Sequence, residues 1–264
     1  MIHINNITNI NKLKNNNFYV VSDFDQTIST HNSNTTFSLF AKSGLYPSEY
    51  LNDVTKLYNY YRPLELNPNL SYEDKKNLSL KWHMASYKLM LKYKLKESDI
   101  DYIIDNNEAI ILREGSIDFI RFLHNNNIPL IICSAGISNF IIKILEKHNC
   151  YTSNIYIHSN ILKFKNNIIY DDNPYPIHSM VKNEIKLPDT FTNKLINRDY
   201  AIVIGDQLHD INMANYLPKK ETISFAFLES NVKENHKLFI NNYDVVLTDN
   251  ESFKPIQKIL AKKS

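Results

Sequence analysis

The sequence predicts an α/β fold with a parallel sheet, and three short apolar runs are the main evidence. The runs cover residues 18–23 (FYVVSD), 128–134 (IPLIICS) and 200–206 (YAIVIGD). Continuous apolar runs of this length are typical of strands that are buried on both faces of a sheet. Helical patterns alternate with them at 113–126, 136–149, 207–217 and 250–263. This alternation favours a sheet with helices on both faces.

The remaining segments fit around this core. Further strands are predicted at 154–159, 222–227 and 243–248. Residues 31–111 contain successive helical patterns without a convincing strand, which predicts a helical cap domain inserted after the first strand. The α/β catalytic core is then formed by 1–30 and 112–264, with a small β-hairpin insertion at 159–173 around Asn166-Asn167. The Asn-rich first dozen residues are expected to form a loosely attached arm.

Composition excludes several classes of protein. The 264 residues carry a formal net charge of +2 without a basic stripe, so no nucleic-acid partner is expected. The chain start lacks an apolar signal-peptide region, and no apolar stretch approaches the roughly 20 residues of a membrane span. Of the two cysteines, Cys133 lies in an apolar run and is expected to be a buried thiol. A soluble, cytoplasmic protein that needs no membrane is therefore expected.

Polar residues follow the predicted strands at the places where ligands bind in parallel sheets, beyond the carboxyl ends. They are Asp23, Asp25 and Thr27 after the first run, Ser134 at the end of the second, Asp206 and Asp210 after the third, and Lys182 in a loop between the last two. Ala135-Gly136 follows Ser134 and is expected to open a helix. One edge of the sheet is thus expected to gather carboxylates, a hydroxyl and an ammonium group.

Such a set suits phosphoryl transfer. Hard oxygen ligands such as Asp23, Asp206 and the carbonyl of Asp25 would suit Mg²⁺, which offsets the charge of a phosphate ester. The Asp23 carboxylate could then attack phosphorus, while Asp25 gives a proton to the leaving oxygen.

The other residues fit phosphate binding. Ser134, with backbone N–H groups near Ala135 and a helix N-terminus, could hold phosphoryl oxygens, and Thr27 is a further candidate. Lys182 would add positive charge, and Asp210 could orient Lys182 or bind a metal-bound water.

Each residue also has an ordinary explanation. A lone Asp-x-Asp is usually part of a turn or cap, and Ser134 or Asp206 alone could cap a helix. An isolated lysine such as Lys182 is a surface residue in most proteins. Their order along the chain, always at predicted strand ends or nearby loops, favours an active site.

The ordered motifs DFDQT, IICSAG and IGDQLHD, with Lys182 between the last two, resemble the four motifs of the haloacid dehalogenase superfamily of aspartate-dependent phosphatases. A closer resemblance is to the cytosolic pyrimidine 5′-nucleotidases, also called class III cytosolic 5′-nucleotidases. It rests on YYRPLELNPNLSYEDK, LREGSIDFIRFLHNNNIPLIICSAGI, IHSMVK and YDVVLTDNESF. The resemblance implies a Rossmann-like parallel core with a helical cap between the first two motifs.

The resemblance also implies roles for individual residues. Asp23 would be the nucleophile and Asp25 the acid/base; Asp23, Asp206 and the Asp25 carbonyl would bind Mg²⁺; Ser134, Ala135 and Lys182 would hold phosphate. The substrate would be a small phosphate ester, a nucleoside 5′-monophosphate. Separately, we expect the protein to be a monomer or weak oligomer.

One departure concerns the substrate. The family recognises the base with a cap-helix Glu before a Trp, whereas this chain has Lys81 before Trp82. A carboxylate accepts hydrogen bonds and an ammonium group only donates them, so Lys81 and Trp82 are candidates for substrate specificity. A phosphatase of a vitamin or sugar phosphate is the alternative, and a phosphoacceptor module or pseudoenzyme is a remote one.

Overall fold

A seven-stranded sheet forms the centre of the protein in the computed structural model, which describes residues 1–13, 17–67, 69–106, 110–171 and 173–261. The strands are β1 (Ile2–Ile4), β2 (Phe18–Ser22), β3 (Leu130–Ile137), β4 (Ile155–Asn160), β5 (Phe164–Lys165), β6 (Ile168–Ile169), β7 (Tyr200–Gly205), β8 (Glu221–Phe227) and β9 (Val245–Leu247). The order in the large sheet is β1-β9-β8-β7-β2-β3-β4, and β5 pairs only with β6.

The central strand β2 determines where the site lies. It pairs in parallel with β3 on one side and with β7 on the other, so Val21 lies opposite Ile131 and Val203. Every residue of β2 is buried, as its continuous apolar run predicts. Apart from the antiparallel pair of β1 and β9, the neighbours in the large sheet are parallel, which confirms the predicted fold class.

Helices cover both faces of the sheet. They are α1 (Ile7–Lys12), α2 (Leu39–Lys42), α3 (Ser48–Glu65), α4 (Tyr72–Lys92), α5 (Ser98–Asn106), α6 (Ser116–Asn125), α7 (Ser138–Lys147), α8 (Asp189–Thr192), α9 (Val232–Asn242) and α10 (Lys254–Ala261). Short 3₁₀ turns occur at Thr36–Ser38, Ser179–Val181 and Leu208–Asn212. None of the helices within the described residues has the length and apolar character that crossing a membrane requires.

The helices α2 to α5 lie between β2 and α6 in the chain, in the region assigned above to a cap. Helix α4 begins where the Ser71 hydroxyl oxygen accepts a hydrogen bond from the Asp74 N–H at 3.1 Å, which is the expected N-cap arrangement. It packs against α3 through aromatic side chains, including Trp82 of α4 and Tyr61 of α3, whose ring centroids are 5.8 Å apart. Their buried side chains belong to the same apolar cluster as β2, β3 and α7; for example, the ring centroids of Phe40 and Phe140 are 4.9 Å apart. We call α2 to α5, with the 3₁₀ turn Thr36–Ser38 that precedes them, the helical layer.

The β5–β6 hairpin turns at Asn166 and Asn167, whose φ angles are 50° and 65°. Two consecutive left-handed residues are typical of a type I′ turn. The hairpin lies against the connection between α4 and α5: the Ile169 N–H donates to the Leu95 carbonyl at 2.9 Å, and the Ser98 N–H donates to Asn167 Oδ1 at 2.8 Å. These hydrogen bonds connect the helical layer to the chain that follows β4.

The expectation of a loose N-terminal arm is wrong. Strand β1 extends the sheet antiparallel to β9, and Ile10 and Leu13 are buried. The asparagines make specific hydrogen bonds: Asn6 caps α1, and Asn5 donates to the Tyr243 carbonyl at 3.0 Å. Asn-rich composition concealed the buried apolar positions between them.

Two helix boundaries also differ from the prediction. Strand β3 continues to Ile137, which pairs with Asn160 across an irregularity in the register, so α7 begins at Ser138 instead of Gly136. The segment 207–217 contains a 3₁₀ turn in place of the expected α-helix. There the Asp210 side chain bonds back to the Gln207 N–H at 2.9 Å, which holds the chain in a tight turn.

The packing of α1 can be tested with two isoleucines of that helix, Ile10 at 6% exposure and Ile7 at 62%. We expect Ile10→Ala to lower the free energy of unfolding by about 2–5 kcal/mol, because a buried side chain leaves a cavity. The matched control Ile7→Ala should cost no more than about 0.5 kcal/mol. Chemical denaturation measures both; equal, small effects would show that the arm is not part of the core.

Candidate active site

Asp23 follows β2 and still takes part in the sheet, since its N–H donates to the Ile204 carbonyl at 2.9 Å. Its side chain is only 6% exposed. One carboxylate oxygen accepts the Phe24 N–H at 2.7 Å, and the other accepts Lys182 Nζ at 2.5 Å. The sheet and these two donors therefore fix both the position and the orientation of the carboxylate.

Lys182 lies at the end of the 3₁₀ turn Ser179–Val181, and its ammonium group is buried between two carboxylates. Nζ is 2.5 Å from Asp23 Oδ2 and 2.8 Å from Asp210 Oδ1. Burial opposes the charge of Lys182, but Asp210 and Asp23 hold its pKa well above the ordinary value. The lysine therefore brings a permanent positive charge to the edge of the sheet.

Asp210 holds two parts of the site together. While Oδ1 accepts Lys182, Oδ2 accepts the N–H groups of Asp206 at 3.1 Å and Gln207 at 2.9 Å. Gly205 makes this approach possible: a Cβ at that position would lie 2.4 Å from the Cβ of Asp210. Both Asp210 oxygens are thus occupied by protein donors, which suits a residue that orients Lys182 and the Asp206 loop.

A cluster of three carboxylates is suited to a cation. Single oxygens of Asp23, Asp206 and Asp210 lie within 4.8 Å of one another. Burial and the neighbouring Asp210 raise the pKa of Asp206 to about 6, so concentrated negative charge is costly here. Within the described part of the chain, no hydrogen-bond donor reaches the Asp25 carbonyl oxygen. Hard oxygen groups close together are the ligands that Mg²⁺ takes in proteins.

Asp25 occupies a different environment. Its carboxylate accepts the Thr36 N–H at 2.8 Å and the Thr36 hydroxyl at 2.9 Å. Burial nevertheless raises the pKa of Asp25 to about 7, although both bonds from Thr36 favour the ionised form. A carboxyl group that titrates near neutral pH is suited to give and take a proton.

The last part of β3, from Ser134 to Gly136, passes close to Asp25 and Thr36. Ser134 is buried and its hydroxyl oxygen accepts the Gly136 N–H at 2.9 Å, which leaves the hydroxyl proton free to donate. The Ala135 carbonyl accepts Asn160 Nδ2 at 2.8 Å, which orients the neighbouring peptide. A Cβ at Gly136 would lie 1.9 Å from Thr36 Oγ1 and 2.7 Å from Asp25 Oδ2. Only glycine lets this segment reach Asp25.

The structure brings most of the predicted residues to one edge of the sheet. Thr27 is buried, and its hydroxyl lies 3.3 Å from Asp206 Oδ1. In the helical layer, Trp82 is half-buried and stacks on Tyr61 with ring centroids 5.8 Å apart. Lys81 is exposed, and within the described residues its side chain has no hydrogen bond or ion pair to the cluster.

The sequence did not reveal three residues around this site. Thr36 binds Asp25 from the helical layer, and no motif marks it. His83 Nδ1 donates to the Ser79 carbonyl at 2.9 Å, and its ring centroid lies 5.9 Å from that of His178. His178 is buried because the helical layer, which includes His83, covers its loop. Contacts between distant segments have no local sequence signal.

Comparison with known proteins gives the family. The model of the UMPH-1 family, pyrimidine 5′-nucleotidase, matches residues 19–263. The chain belongs to this family. The resemblance seen in the sequence is thereby confirmed.

Individual relatives agree with the family assignment. A 7-methylguanosine phosphate-specific 5′-nucleotidase of Drosophila melanogaster is 28% identical over 251 residues, which cover 92% of this chain and 78% of the relative. The crystal structure of cytosolic 5′-nucleotidase IIIB bound to cytidine is 26% identical, with a TM-score of 0.86, covering 98% of this chain and 92% of that one.

A more distant structure shows the fold alone. A HAD family hydrolase from Salmonella enterica subsp. enterica serovar Typhi is 14% identical, with a TM-score of 0.62, over 96% of this chain and 74% of that chain. This UMPH-1 family chain therefore has the haloacid dehalogenase fold that its motifs predicted.

The close approach at Gly136 leads to a test. We expect Gly136→Ala to lower kcat by about 100-fold, because the added Cβ must displace Thr36 and Asp25 and small misplacements of reacting groups are costly. Gly44→Ala is the matched control: its Cβ would meet nothing within 4 Å, and its φ of +75° should reduce stability without affecting turnover. Full activity of Gly136→Ala in a steady-state assay would contradict the geometry.

Proposed function

We propose that this chain is a 5′-nucleotidase that hydrolyses nucleoside 5′-monophosphates to nucleoside and phosphate through an aspartyl-phosphate intermediate. The observation that carries the proposal is the pairing of two unlike carboxyl groups. Asp23 lies 2.5 Å from the ammonium group of Lys182, whereas Asp25 accepts two hydrogen bonds from Thr36 and burial raises its pKa to about 7. Burial raises the pKa of Asp23 as well, and Lys182 opposes that rise. One carboxylate is thus placed as a nucleophile and the other as an acid/base.

In the first step, an Asp23 carboxylate oxygen forms a bond to phosphorus while the bond from phosphorus to the ribose 5′-oxygen breaks. The leaving oxygen takes the proton of the Asp25 carboxyl group, so the nucleoside departs neutral. In the second step, Asp25 takes a proton from water as that water attacks phosphorus. The Asp23–phosphorus bond breaks, and phosphate is released with Asp23 restored.

The phosphoryl oxygens need donors throughout this reaction. Lys182 supplies a compact positive charge, and Ser134 can donate its free hydroxyl proton. We assign further contacts to the Ala135 backbone N–H and to Thr27. Preorganised donors of this kind stabilise the charge that develops on the transferring group.

Mg²⁺ would be held by Asp23, Asp206 and the carbonyl of Asp25, while Asp210 keeps Lys182 and the Asp206 loop in place. The bound ion would supply charge neutralisation for the phosphate ester. Single carboxylate oxygens of Asp23 and Asp206 lie within 4.8 Å of each other, which supports the part of these two residues in the assignment.

We propose that α2 to α5 act as a cap that closes over the ester and excludes water. Trp82 and Lys81 belong to α4 and are our candidates for contacts with the part of the substrate beyond the phosphate. The named relatives act on 7-methylguanosine phosphate or bind cytidine, so a nucleoside monophosphate is the substrate class we propose. We also propose a cytoplasmic location, which the similarity to a cytosolic nucleotidase supports.

A panel of phosphate esters tests the substrate class. We expect phosphate release from CMP, UMP or 7-methylguanosine monophosphate to exceed release from sugar and vitamin phosphates. Asp23→Asn should abolish turnover while thermal unfolding stays cooperative, because only the nucleophile is lost. Negligible activity on every nucleotide, with activity on another ester, would favour the alternative substrate class; activity in Asp23→Asn would reject the mechanism.

The assignment of the metal can be tested by binding as well as by activity. Excess EDTA should abolish turnover, and Mg²⁺ should restore it. Mg²⁺ should also raise the thermal unfolding temperature of the wild type, because a ligand of the folded state stabilises it. Asp206→Asn should lose most of this shift. Full activity in EDTA, or the same shift in Asp206→Asn, would contradict the assignment.

A further inference from the structure

Arg113 is a buried arginine that contacts the loop of the proposed acid/base. Its side chain is 2% exposed and lies just before α6. All five of its N–H donors are used, which is the most an arginine can offer. Nε donates to Thr27 O at 2.8 Å, Nη2 to Gln26 O at 2.8 Å and Glu229 Oε2 at 3.2 Å, and Nη1 to Glu251 O at 3.2 Å and to Glu229 Oε1.

The loop that Arg113 holds is a strained one. Gln26 follows Asp25 directly and has a φ of 64°, in the left-handed region that is unfavourable for a residue with a side chain. Its N–H donates to Ser29 Oγ at 2.9 Å, and its carbonyl accepts Arg113. Strained backbone persists only where its surroundings hold it in place. Arg113 supplies that restraint to the two residues that follow Asp25.

Arg113 is itself immobilised from two sides. Glu229, which is 6% exposed, accepts two of its donors, and the guanidinium carbon lies 3.9 Å from the ring centroid of Phe227. Taking two charges out of water is expensive, and apolar residues often stabilise a core as well as a buried ion pair does. The directional hydrogen bonds of the guanidinium group therefore explain the buried pair of Arg113 and Glu229 better than a gain in stability does.

We propose that Arg113, fixed by Glu229, is a positioning residue that places the Asp25 carboxyl group for proton transfer to the leaving oxygen. This inference rests on the proposed nucleotidase reaction. Arg113 touches neither substrate nor reacting atoms and acts through the carbonyls of Gln26 and Thr27. Thr27 also carries the hydroxyl that lies 3.3 Å from Asp206 Oδ1.

A positioning role predicts a dependence on the leaving group. A ribose 5′-oxygen must receive the Asp25 proton as its bond to phosphorus breaks, whereas p-nitrophenolate leaves without a proton at neutral pH. The value of kcat/KM reports the steps up to release of the leaving group and excludes the later hydrolysis of the aspartyl-phosphate. Misplacing Asp25 should thus lower kcat/KM for nucleotides far more than for p-nitrophenyl phosphate.

The experiment measures kcat/KM for the best nucleotide, phenyl phosphate and p-nitrophenyl phosphate in four variants. Arg113→Lys keeps the positive charge but loses the planar guanidinium group and its paired donors. Arg113→Met combined with Glu229→Gln removes the ion pair without leaving a buried charge, in case the single variant does not fold. Arg121→Lys, on α6 and half exposed, is the matched control for the substitution. Leu195→Ala, in a different part of the core, is the control for lost stability.

We expect Arg113→Lys to lower kcat/KM for the nucleotide by about 10–100-fold and for p-nitrophenyl phosphate by less than about 3-fold, with phenyl phosphate between them. The double variant should show the same order of losses among the three esters. Arg121→Lys should leave kcat/KM unchanged, and Leu195→Ala should lower it equally on all three esters. Equal losses on the three esters in both Arg113 variants would overturn the proposal. If the wild type cleaves phenyl phosphates but no nucleotide, the nucleotidase proposal fails, while the leaving-group comparison between phenyl and p-nitrophenyl phosphate still tests Arg113.

Discussion

The site depends on one buried interaction, the ammonium group of Lys182 between Asp23 and Asp210. Without it, the carboxylates at this edge of the sheet would repel one another and a phosphate dianion in a poorly solvated place. With it, Asp23 stays next to a positive charge, and Asp210 uses its second oxygen to hold the loop of Asp206. The lysine comes from a loop, so the fold must bring that loop to the strand ends.

The parallel sheet and the helical layer achieve this together. Neighbouring strands β2 and β7 place Asp23 and Asp206 side by side, because parallel strands end at the same edge. The Lys182 loop is held from the other side by α4: the Tyr72 hydroxyl donates to the Met180 carbonyl at 2.8 Å, and Lys76 Nζ lies 3.0 Å from Glu184. Both the core and the helical layer therefore determine where the ammonium group lies.

The sequence predicted what depends on local pattern. Buried parallel strands appear as apolar runs, so the fold class and the residues at strand ends, such as Asp23 and Asp206, could be anticipated. Contacts between distant segments could not: Thr36 reaches Asp25 from the helical layer, and Arg113 reaches the same loop from the start of α6. The β1 arm was missed because its apolar residues occur one or two at a time among asparagines. The exposed Lys81 shows the same limit, since a motif comparison does not reveal which way a side chain faces.

The central claim is that Asp23, held in place by the buried ammonium group of Lys182, is the residue that receives the phosphoryl group. The most direct measurement is to quench the reaction with a nucleoside monophosphate in acid within the first turnover, reduce the protein with borohydride and map its peptides by mass spectrometry. An acyl phosphate at Asp23 is reduced to homoserine, so we predict that modification at residue 23 and at no other carboxylate. A reduced residue elsewhere, or equal release of nucleoside and phosphate in the first turnover without any modified peptide, would contradict the account.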